Sequence, residues 1–258
     1  MNRRVSIIIP ARHDAVALRR TLDHLETLHG IRDAEVIVAA FGDPVGTEGA
    51  VAGRAQIVWP AQSTRAALMN AGAAAARGEI FFFLHADSFP PADALPLIQR
   101  ALADGREVGG AFEHSFAEPS WRLRWITWIN RLRYRLTRNY YGDQGIFVRA
   151  AAFHRMGGYR PLRILEDLDF TRRLQALGRP ALIRVPLRTS GRRFLAGGPL
   201  HTFLFIAWLV TLHTLRLNAQ RYADGYHGPA DRTPDTQPPR PFRQGVPPVF
   251  PMTRESPE

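Results

Sequence analysis

The run Glu79-Ile-Phe-Phe-Phe-Leu-His-Ala-Asp-Ser88 narrows the architectures open to this chain. An apolar stretch without polar alternation reads as a strand buried on both faces, as in a parallel sheet covered by helices. The stretch ends abruptly in His85, Asp87 and Ser88. Ligands of open parallel sheets gather at the carboxyl ends of the strands, so these polar residues are candidates for a site.

Val5-Ser-Ile-Ile-Ile-Pro10 predicts a first buried strand, followed by a helix carrying Leu18, Leu22 and Leu25 and stopped by Gly30. Glu35 to Ala40 and Gln56 to Trp59 predict two further strands. The Ala-rich segment from Arg65 to Arg77 predicts a helix closed by Gly78 before the Glu79 to Leu84 strand. Alternation of this kind points to an α/β fold with a mostly parallel central sheet and helices on both faces. Pro90 and Pro91 mark the start of a helix with Leu95, Ile98 and Leu102. Strands are expected at Val108 to Phe112, Gly145 to Arg149 and Ala181 to Val185, a long segment spans Ser120 to Tyr141, and a helix is expected from Glu166 to Leu177. Residues 1–198 read as one domain and 199–226 as an apolar C-terminal helix. The stretch 227–258 reads as a Pro-rich disordered tail, because nine of the twenty prolines fall in the last thirty residues.

The 258 residues contain no cysteine, which removes disulfides, thiolate nucleophiles and cysteine-ligated metals and leaves histidine and carboxylates as metal ligands. The formal net charge of +11 comes entirely from arginine, since no lysine occurs. Arginine suits bidentate contact with phosphate, so nucleotide diphosphates and acidic lipid surfaces are compatible partners. The apolar run at Val5 to Pro10 is too short for a signal peptide, and a cytoplasmic location follows as the expectation.

His85-x-Asp87 alone says little, because acids after strands often serve turns and caps. Two other segments join it: Glu166 and Asp167 at a helix start, and Ser190-Gly-Arg-Arg-Phe194 after a strand. A carboxylate on a divalent cation, a second carboxylate free to take a proton, and Arg192 and Arg193 facing a phosphate leaving group would suit transfer from an activated phosphate ester.

With these segments the chain resembles the family 2 glycosyltransferases and their GT-A, Rossmann-like fold. The resemblance is carried by Ser6 to Arg12, Glu35 to Val38, Met69 to Glu79, Leu84 to Ser88, Tyr141 to Phe147 and Leu165 to Asp169. The His-Ala-Asp and Gly-Asp-Gln variants are similar to the bacterial radical SAM/selenodomain-associated transferases. The resemblance implies a metal-dependent inverting transfer of a sugar from a nucleotide-diphosphate sugar to an acceptor hydroxyl.

Position by position, it implies that Asp87 holds Mg²⁺ or Mn²⁺ against the donor diphosphate. His85 stands where the family has the first acid of an Asp-x-Asp pair, and would ligate the metal, bond the nucleotide or pack behind it. Asp167 would be the general base, with Glu166 orienting it. Pro10, Ala11, Arg12 and Asp14 match the nucleoside loop, and Asp14 is equally suited to cap the following helix. Arg65, Asn70 and Gly72 match a second donor segment, and Ala86 lies within the metal motif. Ala40 stands where the family often has an acid for the nucleobase, and Asp43, three residues on, is the substitute within reach. Asp143 and Gln144 match an acceptor-side loop, with a buried structural pair as the alternative.

Two segments have membrane-like patterns. Trp121, Trp125, Trp128, Ile129, Leu132 and Leu136 share one side of a helix, and Arg124, Arg131, Arg135 and Arg138 another. Such a helix either lies in a headgroup region or packs on the core with its arginines in water. Thr202 to Leu217 is strongly apolar, but its about 16 residues fall short of the ~20 that span a bilayer. It suits a buried C-terminal helix or an in-plane anchor. Peripheral contact with the inner face of the cell membrane through 120–138 and 202–217, and a lipid-linked acceptor, are therefore open. The rival readings are a nucleotidyltransferase, which lacks a lysine-bearing phosphate loop here, and a non-catalytic nucleotide-sugar-binding protein. No nucleic-acid reader motif occurs, so nucleic acid is not an expected partner.

Overall fold

The structure is a computed structural model that describes residues 4–226. The tail expected at 227–258 lies outside the described residues. Strand β1 (Val5–Arg12) leads into helix α1 (Ala15–Leu25), where the Asp14 carboxylate caps the first turn by accepting the Ala17 N–H at 2.9 Å. Then follow β2 (Glu35–Phe41), α2 (Pro44–Val51), β3 (Gln56–Val58), α3 (Arg65–Ala75) and β4 (Ile80–Phe83). β1 pairs in parallel with β2 and β4, and β2 with β3, so the first ninety residues form the expected repeated strand–helix unit.

The second half extends this sheet. It contains β5 (Ser88–Phe89), α4 (Ala94–Ala101), β6 (Glu107–Phe116), α5 (Trp121–Thr137), β7 (Ile146–Arg149), α6 (Ala150–Arg155), α7 (Glu166–Leu177) and β8 (Arg179–Thr189). It closes with α8 (Arg192–Gly197), α9 (Pro199–Thr214) and α10 (Ala223–Tyr226). The described residues form an eight-stranded sheet in the order β3-β2-β1-β4-β7-β6-β8-β5. Only β7 and β5 run against the common direction. The sequence did not announce α2 or β5, and α4 begins at Ala94, after the expected Pro90–Pro91 start, because a turn closes from the Pro91 carbonyl to the Ala94 N–H.

β4 is buried on both faces, as its composition requires. Ile80 and Phe82 pack with Ile7, Ile9, Leu18 and Leu95 on one side. Phe81 and Phe83 pack with Ile8, Phe153, Tyr159 and Phe170 on the other. Helices therefore cover both faces of the sheet.

α5 inverts the usual arrangement of an amphipathic helix. It buries Leu123, Ile126 and Tyr134, while Trp121, Trp125, Trp128, Leu132 and Leu136 face outward. Its attachment to the sheet is partly ionic: buried Glu113 of β6 accepts from Arg135 at 2.5 Å and lies 3.4 Å from Arg131. α9 runs against α5, with the rings of Trp125 and Phe203 6.2 Å apart. Among the described residues no helix is long and apolar enough to cross a membrane.

Candidate functional site

The carboxyl ends of β1 and β4 open into a cleft of about 1020 Å³. Its floor is the His85-Ala86-Asp87 turn, which three surrounding hydrogen bonds hold in place. Thr21 Oγ1 of α1 donates to the Ala86 carbonyl at 2.8 Å, the Ser190 N–H donates to the Asp87 carbonyl at 3.1 Å, and the turn closes from the Ser88 N–H to the His85 carbonyl at 3.2 Å. The position of Asp87 is thus fixed from α1 and from the loop after β8.

Asp87 is half-buried, and this burial raises its carboxyl above the usual range against the opposing pull of Arg192 and Arg65. Arg192 Nη2 lies 2.8 Å from Asp14 Oδ2 and 3.7 Å from Asp87 Oδ2, so one guanidinium bridges the loop after β1 and the end of β4. Arg193 lines the same cleft. The turn that carries both arginines is held by Glu118, whose carboxylate accepts from Ser190 Oγ at 3.0 Å and the Gly191 N–H at 2.6 Å.

The opposite wall starts at Leu165, a non-glycine residue at φ +60. Its left-handed backbone is held by packing with Ile164, Leu168 and Leu209, and it turns the chain abruptly into α7. Asp167 is fixed on two sides: Oδ2 accepts the Gly142 N–H at 2.6 Å and Oδ1 the Leu168 N–H at 2.7 Å. Burial pushes its carboxyl up despite these bonds and the nearby Arg65 charge. Glu166 is buried, with Oε1 3.4 Å from Arg65 Nη1. His85 Nε2 lies 3.5 Å from the same guanidine nitrogen. Burial, and after it the Arg65 charge, hold His85 well below the usual histidine range, so its ring is neutral.

The cleft therefore gathers Pro10, Arg12, Asp14, Arg65, His85, Ala86, Asp87, Asp143, Glu166, Asp167 and Arg193 from segments far apart in sequence. Six expected residues stand outside its lining; Arg192 is one of them and reaches the cleft through its contacts with Asp14 and Asp87. Ala11 is buried in the core beside β2. Asp43 caps α2, accepting the Gly46 N–H at 2.9 Å. Asn70 is a clasp for the loop before α7: its amide donates to the Tyr159 carbonyl at 2.8 Å and accepts the Tyr159 N–H at 2.9 Å. Gly72 serves helix–sheet packing, since a Cβ there would come 2.5 Å from Ile8 Cγ2. Gln144 is buried and donates to the Phe112 carbonyl at 3.0 Å, the structural alternative that its sequence context left open.

Arg133 and His114 gave no sequence signal. Arg133 of α5 stacks over Tyr141 at 3.8 Å, and both line the cleft. Buried His114 reaches Thr189 Oγ1 at 2.8 Å and Asp143 Oδ2 at 3.5 Å. Their convergence depends on the pairing of β6 with β8, which local sequence does not encode.

Among the described residues no three histidines or acids cluster as a ready metal cage. The donor set is sparse: the Asp87 carboxylate and the neutral His85 ring. A sparse oxygen-led set fits Mg²⁺ or Mn²⁺, which takes most of its ligands from substrate phosphates and water.

A comparison with curated protein sequences gave no match. Among solved structures, the chain is similar to the mannosyltransferase PcManGT from Pyrobaculum calidifontis in complex with GDP-Man and Mn²⁺. The TM-score is 0.57 at 21% identity, covering 72% of this chain and 55% of that one. It is also similar to S. aureus TarS, with a TM-score of 0.55 at 11% identity, covering 72% of this chain and 36% of that one. The chain thus spans about half or less of these proteins' length, and at these identities the likeness establishes the GT-A fold. The sequence profile described as Glycosyl transferase family 2 matches residues 6–160, more than half of the chain, which belongs to that glycosyltransferase family.

Proposed function

We propose that the cleft transfers a sugar, with inversion, from a nucleotide-diphosphate sugar to an acceptor hydroxyl. The observation that carries this reading is the meeting of two half-buried acids, held in different ways, across one cleft. Asp87 lies at the end of β4 beside Arg192, and Asp167 lies at the start of α7, held by two backbone N–H groups. The mannosyltransferase complex with GDP-Man and Mn²⁺ supports the donor class and the metal. The His-Ala-Asp and Gly-Asp-Gln segments support a place beside the radical SAM/selenodomain-associated transferases within the family.

Asp87 and His85 would hold the divalent cation, which when bound supplies positive charge to the donor diphosphate. Arg192 and Arg193 face the same diphosphate from α8. Asp167 takes the proton of the acceptor hydroxyl as its oxygen forms the new bond to the anomeric carbon. The bond from that carbon to the phosphate oxygen breaks, and its electron pair leaves with the nucleoside diphosphate. The raised carboxyl of Asp167 suits this step, because a base nearer neutral pH takes a proton more effectively. The Arg65 guanidinium lies 3.4 Å from the neighbouring Glu166 carboxylate.

A screen of nucleotide diphosphates by calorimetry, with and without Mn²⁺, tests the donor reading. Metal-dependent binding is expected in the wild type and is lost in Asp87→Ala; metal-independent binding of equal strength removes Asp87 as a ligand. Asp167→Asn is expected to keep donor binding and lose about 10²–10⁴-fold in transfer. Unchanged turnover would remove Asp167 as the base.

A further inference from the structure

The outward stripe of α5 is the least expected surface of the molecule. Trp121, Trp125 and Trp128 are 73%, 49% and 64% exposed, and Leu132 and Leu136 continue the stripe at the same helical angle. A surface helix ordinarily turns such a stripe to the core. α9 repeats the feature, with Leu200, Leu204 and Trp208 exposed along one side and Leu215 just past its end. The two helices touch through Trp125 and Phe203, so their stripes adjoin. Exposed apolar area of this extent marks a surface with a partner.

The pattern of charge selects that partner. Exposed Arg124 lies on one flank of the α5 stripe and Arg122 on the other, where its guanidinium stacks over Trp121 at 5.4 Å. Tryptophan beside arginine matches the headgroup level of a bilayer, where the indole sits between apolar and wet regions and the guanidinium meets anionic phosphate. No acid falls anywhere in α5 or α9, which removes the repulsion an anionic surface would meet. A protein interface would not require this one-signed flank.

The position of the stripes relative to the cleft is the second observation. Ile129 and Arg133 of α5, and Phe203, Ile206 and Val210 of α9, line the cleft. On each helix these positions lie next to the exposed stripe around the helical circumference. The two helices thus form one side of the cleft mouth, and their outer faces are its rim.

We infer that α5 and α9 together are a docking surface for an anionic phospholipid bilayer, lying in the headgroup plane and setting the cleft mouth against it. Docking does not depend on the donor chemistry. Its consequence, that the acceptor hydroxyl is presented by an amphiphile at the membrane surface, rests on the glycosyltransfer reading.

The full chain is tested by flotation with vesicles of phosphatidylcholine alone and of phosphatidylcholine mixed with phosphatidylglycerol. Four of the five tryptophans, all but Trp59, lie on α5 and α9, so tryptophan emission reports this face directly. The expected result is binding to the anionic vesicles only, weakened by salt, with a blue shift and quenching by brominated lipid. Arg122→Gln and Arg124→Gln should each weaken partitioning about fivefold. Trp121→Ala with Trp128→Ala should reduce it by about tenfold or more and confine the remaining quenching to Trp125 and Trp208. Absence of binding, or binding that neither the lipid charge nor these substitutions alter, overturns the inference. So does a concentration-dependent dimer, by sedimentation velocity, that itself produces the blue shift, because a second copy would then be the partner. Calorimetry with nucleotide diphosphate and Mn²⁺ on the same variants should be unchanged, and separates failure of docking from failure of the donor reading.

Discussion

Gly142 sets the distance between His85 and Asp167. A Cβ at this position would lie 2.5 Å from His85 Nε2 and 3.4 Å from Asp167 Oδ2, so Gly142→Ala must move the imidazole or the loop that holds Asp167. Such overpacking is expected to cost about 1–2 kcal/mol of stability. If Asp167 is the base of the proposed transfer, the loss in turnover should be disproportionate, about 10²-fold, because a shift of about 1 Å misaligns it. Measured kcat against Tm checks the split. His114 gives a second outcome at this scale. Burial, above all, lowers its pKa below 6.5, with Arg131 and Arg133 acting in the same direction and Asp143 opposing them. The neutral form is the one the fold accepts, so its stabilising contribution is complete above pH 6.5 and is lost as pH falls through the lowered folded value. The limiting slope for one proton is about 1.4 kcal/mol per pH unit. His114→Gln should flatten the acid-side decline of Tm by up to that amount, and an unaltered profile would show that the ring titrates normally.

At the scale of elements, α3 rests on β1 through the absence of a side chain at Gly72. Gly72→Ala would drive a methyl to 2.5 Å from Ile8 Cγ2, at the centre of the sheet, where neither backbone can easily give way. The expected loss is about 1–3 kcal/mol, read as a lower denaturation midpoint, with nucleotide affinity per folded molecule retained because Gly72 does not line the cleft. A loss of nucleotide affinity without a change in stability would restore Gly72 to the donor site. The same residue shows what was legible in the sequence. Its glycine identity revealed a close approach, but the partner, Ile8 or a ligand, depends on which face of α3 meets the sheet. Strands β1, β2 and β4 could be read because continuous apolar runs report burial on two faces directly. The reversed direction of β7 and the adjacency of β6 and β8 could not, since strand direction leaves no mark on side-chain pattern. α5 shows the same limit: its periodicity separated tryptophans from arginines, but the sheet chose the face that carries Leu123, Ile126 and Tyr134.

For the molecule as a whole, the site is closed by residues from its two extremities. Arg192 bonds Asp14 across 178 positions of sequence and reaches Asp87 as well. Sequence motifs located each of these groups, but only the placement of β8 and β5 beside each other at the sheet edge brings them together. In the absence of donor this exposed ion pair contributes little, about 0–1 kcal/mol, because water screens it and the side chains lose freedom in forming it. Arg192→Gln should therefore leave the Tm of the free protein nearly unchanged. With a nucleotide diphosphate and Mn²⁺ present, the same guanidinium would face a phosphate, and a charge-assisted hydrogen bond of about 1.5–3 kcal/mol would be lost. That corresponds to a Kd weakened by roughly 10-fold to 150-fold, since about 1.4 kcal/mol is tenfold. Ligand at about 100 times the wild-type Kd stabilises the fold by about 2.7 kcal/mol, so about half to nine-tenths of the ligand-induced rise in Tm should vanish in the variant. If Arg192 instead only ties Asp14 to Asp87, the substitution would lower the Tm of free and liganded protein equally, and the ligand-induced rise would persist.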